Sequence, residues 1–218
     1  VASLLDAAGY AVQREYYVND AGRQMDILAT SVWLRYLELA GVEMAFPANG
    51  YKGDYIYDIA ATVHREHGDA FKHEAVAITK DLPADEPDGG DKETYIDAVI
   101  GKARSLLGEP AYRSVFDVTL AALKDNIEQD LRGFGVTFDR WFSERSLVDS
   151  GQLERAVERL KAAGHVYQKD GAWWFRSTEF GDEKDRVVIR DNGQTTYFAS
   201  DIAYHMDTFA DGRLALIF

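Results

Sequence analysis

Asn19, Asp20, Gly22 and Gln24 gather short polar side chains and a glycine where a strand-like run gives way to a helix. Backbone donors and short polar groups at such a junction can meet a ligand, although capping alone would account for Asn19 or Asp20. Tyr197 and Asp201 form a second pair, a phenol and a carboxylate four residues apart at another strand-to-helix junction. From the residues alone, Asp201 reads as well as a helix N-cap and Tyr197 as a core aromatic. Other reactive-looking patterns carry less. Gly133-Phe-Gly135 lacks the third glycine of a dinucleotide fingerprint, since Phe138 stands in its place, and Gly101-Lys102 lacks phosphate-loop spacing. His64-Arg-Glu-His67, with His73 nearby, has no glutamate at the zincin spacing; it reads as solvated helical histidines, and no metal site is expected. No nucleophilic serine elbow occurs. Trp173-Trp174 could stack bases, but neighbours along a strand face opposite ways, which puts one of them in the core.

Composition narrows the classes. The chain has 218 residues, 24 Lys+Arg against 37 Asp+Glu, and a formal charge of −13. An apolar share of 46% supports a proper core and excludes general disorder. The absence of cysteine excludes a disulfide framework, a thiol nucleophile and a thiolate metal site. No apolar run approaches the ~20 residues that cross a bilayer, no signal peptide precedes Val1, and no membrane partner is expected. Acidity argues against a surface that grips phosphates unaided. It is unevenly spread, however. Residues 41–135 hold 10 Lys+Arg and 18 Asp+Glu, eight of the thirteen net negative charges, so it marks one stretch and does not veto a nucleic-acid partner.

The elements that must position these residues follow from periodicity. After a short opening helix that stops at Gly9, residues 11–18 read as a strand. Asn19-Asp20-Ala21-Gly22 is a turn able to cap the helix expected over residues 23–40. Helices are expected around Ile56–Val63, across Ile96, Val99, Ile100, Ala103 and Leu107, and again after Pro110. Asp81-Leu-Pro-Ala-Asp-Glu-Pro-Asp-Gly-Gly-Asp91 reads as a solvated loop. A strand over residues 136–142 and a helix over 152–163 follow. Asp170-Gly171 and Asn192-Gly193 then signal two hairpins, the second with its return strand over residues 195–198. A helix over residues 201–209 and a strand at Leu214-Ala-Leu-Ile-Phe218 close the pattern. An apolar run bare at the end reads as a piece cut from a longer protein.

Two segments are more specific: Tyr16-Tyr-Val-Asn-Asp-Ala-Gly-Arg-Gln24, and Gly181-Asp-Glu-Lys-Asp-Arg-Val-Val-Ile-Arg190 running into Thr195-Thr-Tyr-Phe-Ala-Ser-Asp-Ile-Ala-Tyr-His205. With Ser31-Val-Trp-Leu-Arg-Tyr36, Gly50-Tyr-Lys-Gly-Asp-Tyr55 and Asp139-Arg-Trp-Phe-Ser143 between them, they resemble the catalytic domain of arginyl-tRNA synthetases across essentially the whole chain. The resemblance implies an α/β fold: a partial Rossmann-like class I synthetase domain, with core parts at residues 1–40 and 136–218 and an acidic helical insertion at 41–135. It implies that Tyr197 and Asp201 recognise the arginine side chain. That suits a planar five-donor guanidinium, which is best held by a carboxylate beside an aromatic hydroxyl or face. It leaves Asn19, Asp20, Gly22 and Gln24 as possible active-site residues. The implied parent is a cytoplasmic ligase that joins L-arginine to its tRNA through an arginyl-adenylate, using ATP and Mg. The two ATP signatures of class I synthetases, one resembling His-Ile-Gly-His and one resembling Lys-Met-Ser-Lys-Ser, are absent from these 218 residues. No catalytic residue is therefore assigned, and the chain alone is expected to be inactive. The alternative is a freestanding module that binds arginine or an arginine-bearing partner through the same pair.

Overall fold

The computed structural model describes residues 1–209; the strand expected over residues 214–218 lies outside them. The chain divides into two compact units, one made of Val1–Asp20 with the chain from Phe138 on, the other of Ala21–Thr137. Helix α2 (Arg23–Leu39) packs on α3 (Tyr55–His67) and α5 (Lys92–Gly133).

The helical unit is built around α2. Eleven of its residues are buried, so it is surrounded rather than half-covered. Trp33, Tyr36 and Leu37 of α2 meet Ile56 and Val63 of α3 and Val99, Ala103, Tyr112 and Val115 of α5 in one core. A short helix not foreseen from periodicity, α4 (Ala75–Thr79), adds Ile78. The connection before it is tied down by Trp33 Nε1, which donates to the Phe71 carbonyl at 3.0 Å, and by the Tyr36 hydroxyl, which donates to the Gly68 carbonyl at 2.6 Å. The two helices expected around Pro110 are present as two arms of α5, joined at a kink. Gly108 breaks the helix at φ 71, ψ 160, a conformation essentially restricted to glycine. Arg104 and Tyr112, from the two sides of the kink, both reach Asp26 on α2, at 2.6 and 2.9 Å. The acidic loop is also less open than it reads. Asp85, 9% exposed, accepts from the backbone of Ala48 and Glu86, both at 2.8 Å.

The α/β unit opens with α1 (Ala2–Ala7) and carries two sheets. Strands β1 (Glu15–Val18) and β2 (Arg140–Ser143) pair in parallel, Glu15 against Arg140 through Val18 against Ser143. Each pairs over four residues, fewer than its apolar run. The turn after β2 is a short helix, α6 (Arg145–Asp149), and α7 (Gln152–Ala162) follows. The antiparallel sheet β3 (Val166–Lys169), β4 (Ala172–Phe175), β5 (Arg186–Ile189) then forms, its first hairpin closed by Asp170 and Gly171 at φ 51 and 79. Positive φ at both central residues gives the turn the twist a two-residue hairpin needs. Trp173 packs on the core of this unit, while Trp174, on the other face, donates from Nε1 to the Lys169 carbonyl at 3.3 Å.

The second hairpin is cut short. Thr195 makes one bridge to Ile189, then Thr196 ends the pairing: its hydroxyl donates to the Val187 carbonyl at 2.7 Å and its N–H to Val188 at 3.0 Å. Helix α8 (Tyr197–Phe209) begins at the next residue, so Tyr197 opens a helix instead of ending a strand, and Asp201 lies one turn inside it. Ala199 and Ala203 face the core with Phe142, Leu147, Val157 and Val188. Among the described residues, no helix is long and apolar enough to cross a membrane.

Candidate functional site

Parallel pairing puts the carboxyl ends of β1 and β2 side by side, and in open α/β sheets ligands bind beyond those ends. What the sequence places there is unusually acidic. Asp20 follows β1 by two residues and is 2% exposed; Glu144 follows β2 directly and is 4% exposed. The Glu144 N–H donates to the Val18 carbonyl at 3.0 Å, so the two strand ends hold each other. The hydroxyls of Tyr17 and Ser200 reach the Glu144 carboxylate, and Asp201 stands next to Ser200 on α8.

Helix α8 is fixed against the strands by a second polar set. Arg140 pairs with Glu15 at 2.8 Å and with Asp207 at 3.2 Å, Gln152 donates to Asp207 at 3.1 Å, and the Tyr204 hydroxyl donates to Glu15 at 2.6 Å. Burial, then Glu15, push the Tyr204 phenol up to about 12. The ring of Tyr17 lies 4.8 Å from that of Tyr204 and 5.9 Å from that of Phe142. The aromatic floor and the ion pairs together set where the outer face of α8 points.

Electrostatics single out Tyr17 and Glu144. Burial drives the Tyr17 phenol well above its ordinary value, and the carboxylates of Glu144, Asp201 and Asp20 push it further. The Glu144 carboxyl is raised by burial first; the Ser200 and Tyr17 hydroxyls oppose this, and the charges of Asp20 and Asp201 add to it. Three carboxylates thus act on one buried spot with hydroxyl donors between them. A cation with several planar N–H donors would relieve that repulsion and satisfy the acceptors. Among the described residues, no group of three His, Cys, Asp or Glu side chains is placed to hold a metal ion. A cluster of carboxylates also repels a triphosphate, so these residues do not fit ATP.

The residues expected from sequence divide accordingly. Asp201 and Asp20 join Tyr17 and Glu144 in one electrostatic cluster. Tyr197, 61% exposed, and Asp201, also exposed, share the solvent-facing side of the first turn of α8, opposite Ala199 and Ala203. Asn19 is exposed directly after β1. Neither Asn19 nor Asp20 caps α2; the N-cap is Gly22, which accepts from the Met25 N–H at 3.0 Å. Asp20 caps α6 instead. Gln24 belongs to the helical unit, where it accepts from the Tyr51 hydroxyl at 3.0 Å. Tyr17, Glu144 and Ser200 were missed. Glu144 lies one residue past the Asp139-Arg-Trp-Phe-Ser143 stretch, and a polar residue closing a strand parallel to β1 was the available signal.

Comparison with known proteins bears on the family of the chain. A family described as "tRNA synthetases class I (R), catalytic domain" matches residues 1–214. A protein named arginine–tRNA ligase from Thioalkalivibrio sulfidiphilus is 68% identical over 97% of this chain and 36% of its own length. One of the same name from Legionella pneumophila is 58% identical over 96% of this chain and, again, 36% of itself. A solved arginyl-tRNA synthetase structure from Campylobacter jejuni superposes with a TM-score of 0.69 at 31% identity, covering 96% of this chain and 38% of that one. The Thermus thermophilus arginyl-tRNA synthetase shares the fold, with a TM-score of 0.55 at 21% identity over 94% of this chain and 30% of that one. The chain therefore spans a little over a third of the length of these curated relatives.

Proposed function

The chain belongs to the catalytic-domain family of class I arginyl-tRNA synthetases, and from that membership we propose that it is the arginine-recognising segment of a longer arginine–tRNA ligase. The observation that carries this reading is the cluster of Asp20, Glu144 and Asp201 around Tyr17 at the carboxyl ends of β1 and β2. Such a cluster suits the guanidinium of arginine and repels anions. In this reading Asp201 accepts from the guanidinium and Tyr197, one turn earlier on the same face, lines it with its ring or hydroxyl. Glu144 supplies the buried carboxylate, aimed by the hydroxyls of Tyr17 and Ser200. Asn19, exposed beside them, contacts substrate; Gly22 and Gln24 act by starting α2 and holding Tyr51. The stretch 41–135 is an acidic helical insertion in the synthetase core.

The proposed ligase activates L-arginine with ATP and Mg in the cytoplasm and transfers it to tRNA. That chemistry draws on residues other than these, and this chain's own part is to bind and orient the amino acid. The test is arginine-dependent ATP–pyrophosphate exchange, with tRNA present, by the full-length ligase. Asp201→Asn and Tyr197→Phe should raise the arginine KM, Asp201→Asn by ~10–100-fold, because it removes a charge-assisted hydrogen bond worth about 1.5–3 kcal/mol. An unchanged arginine KM in both variants would overturn the assignment. The 218 residues alone should show no exchange.

A further inference from the structure

We infer that Asp20 is a positioning residue: it touches no substrate, and it sets arginine affinity by clamping the turn that presents Glu144. This rests on the arginine-pocket reading above. Both oxygens of this buried carboxylate are spent inside the protein. Oδ2 accepts from the Ser143 hydroxyl at 2.6 Å, and Oδ1 accepts from the Arg145 N–H at 2.9 Å. The two partners are the residues immediately before and after Glu144, so the clamp brackets that one position. Asp20 is itself anchored, since its N–H donates to the Val18 carbonyl at 3.0 Å, and Val18 also accepts from Glu144. The turn is closed from the far side by Ser146, whose hydroxyl donates to the Ser143 carbonyl at 2.6 Å and whose N–H donates to the Ser143 hydroxyl at 3.3 Å.

The consequence is a fixed backbone at Glu144, φ −57 and ψ −41, with its side chain directed to Tyr17 and Ser200. Loss of the clamp lets the turn between β2 and α6 relax. A carboxylate displaced by a fraction of an ångström from a planar fork loses much of its directional hydrogen bonding. Asp20 also acts through space, because its charge is one of those that raise the Glu144 carboxyl. Removing it therefore has two separable effects, a looser Glu144 and a more easily ionised one.

The experiment uses the full-length ligase with arginine, ATP and tRNA varied in turn. Asp20→Ala should raise the arginine KM roughly tenfold, with the KM values for ATP and tRNA within about twofold of wild type. Asp20→Asn keeps an oxygen for the Arg145 N–H and should recover part of that loss. Ser143→Ala removes one arm without touching Asp20 and should shift arginine KM in the same direction. The acid limb of kcat/KM for arginine should move to lower pH in Asp20→Ala, an effect that a purely structural cap would not produce. An unchanged arginine KM, or equal losses for all three substrates, would overturn the inference. Should Asp20→Ala fail to fold, Ser143→Ala decides the matter by the same split. If Asp201→Asn and Tyr197→Phe also leave arginine KM unchanged, the pocket reading itself fails. If they raise it and the Asp20 and Ser143 variants do not, only the positioning role fails.

Discussion

Glu144→Gln should make this protein more stable and, on the proposed reading of the site, worse at holding arginine. The substitution keeps the shape of the side chain and an acceptor oxygen for Tyr17 and Ser200, and it removes only the charge. At 4% exposure that charge has little water around it, and the carboxylates of Asp20 and Asp201 oppose it. The folded protein holds the Glu144 proton more tightly than the unfolded chain does. Its contribution to stability is therefore full below the ordinary glutamate range and is lost as pH rises through the raised value. At pH 7 the wild-type protein bears that cost and the glutamine variant does not. Relief at a functional site of this kind is worth about 0.5–2 kcal/mol, and each kcal/mol moves the melting temperature of a chain this size by about 2–4 °C. Thermal melts at pH 7 should show the gain, and melts near pH 4 should show it shrink as wild-type Glu144 takes up its proton. In the full-length ligase the same variant should weaken arginine by ~10–100-fold, through loss of one charge-assisted contact. A lower melting temperature at pH 7, or a gain independent of pH, would refute the claim that the buried charge is held against its own electrostatics.

Two further outcomes test other parts of the structure. The phenols of Tyr17 and Tyr112 are raised by burial and nearby carboxylates, and Tyr204 is raised to about 12, so all three resist ionisation while folded. Stability should fall as pH climbs above about 10, where unfolded tyrosines ionise; tyrosinate absorbance should rise together with loss of circular dichroism, and ionisation of these three well before unfolding would contradict their burial. Gly108→Ala places a side chain at φ 71, ψ 160 in the kink of α5 and should destabilise the helical unit by about 1–3 kcal/mol in denaturant titrations. A neutral result would mean that the kink is not required.

Short-range signals were read well from sequence. Helices α2, α3 and α7 follow apolar spacing, and the first hairpin follows its Asp-Gly turn, because each depends on residues within a few positions of one another. The errors share a cause. Thr195-Thr-Tyr-Phe has strand-like composition, but a strand needs a partner along its length; Thr196 spends its hydroxyl on Val187 and the chain turns into α8. Asp20 has the chemistry of a cap, and local reading gives it to the nearest helix. It caps α6, whose first residue is 125 positions away. Glu144 looks ordinary until Tyr17 and Ser200 are packed on it. The pair Tyr197 and Asp201 was legible as a motif, whereas the buried carboxylate behind it depended on contacts no spacing rule contains.

The segmented construction of the α/β unit also sets an order of events during synthesis. The helical unit is one continuous stretch and can fold as soon as it leaves the ribosome, whereas β1 can pair with β2 only after the roughly 120 residues between them have been made. At ~5–20 residues per second, a strand rich in tyrosine and valine waits roughly 6–24 s for β2. Glu15 and the acidic turn at Asn19-Asp20 bracket β1 with charge throughout that interval, as gatekeepers do around an aggregation-prone strand. The acidic residues that flank β1 thus serve the nascent chain before the folded unit exists.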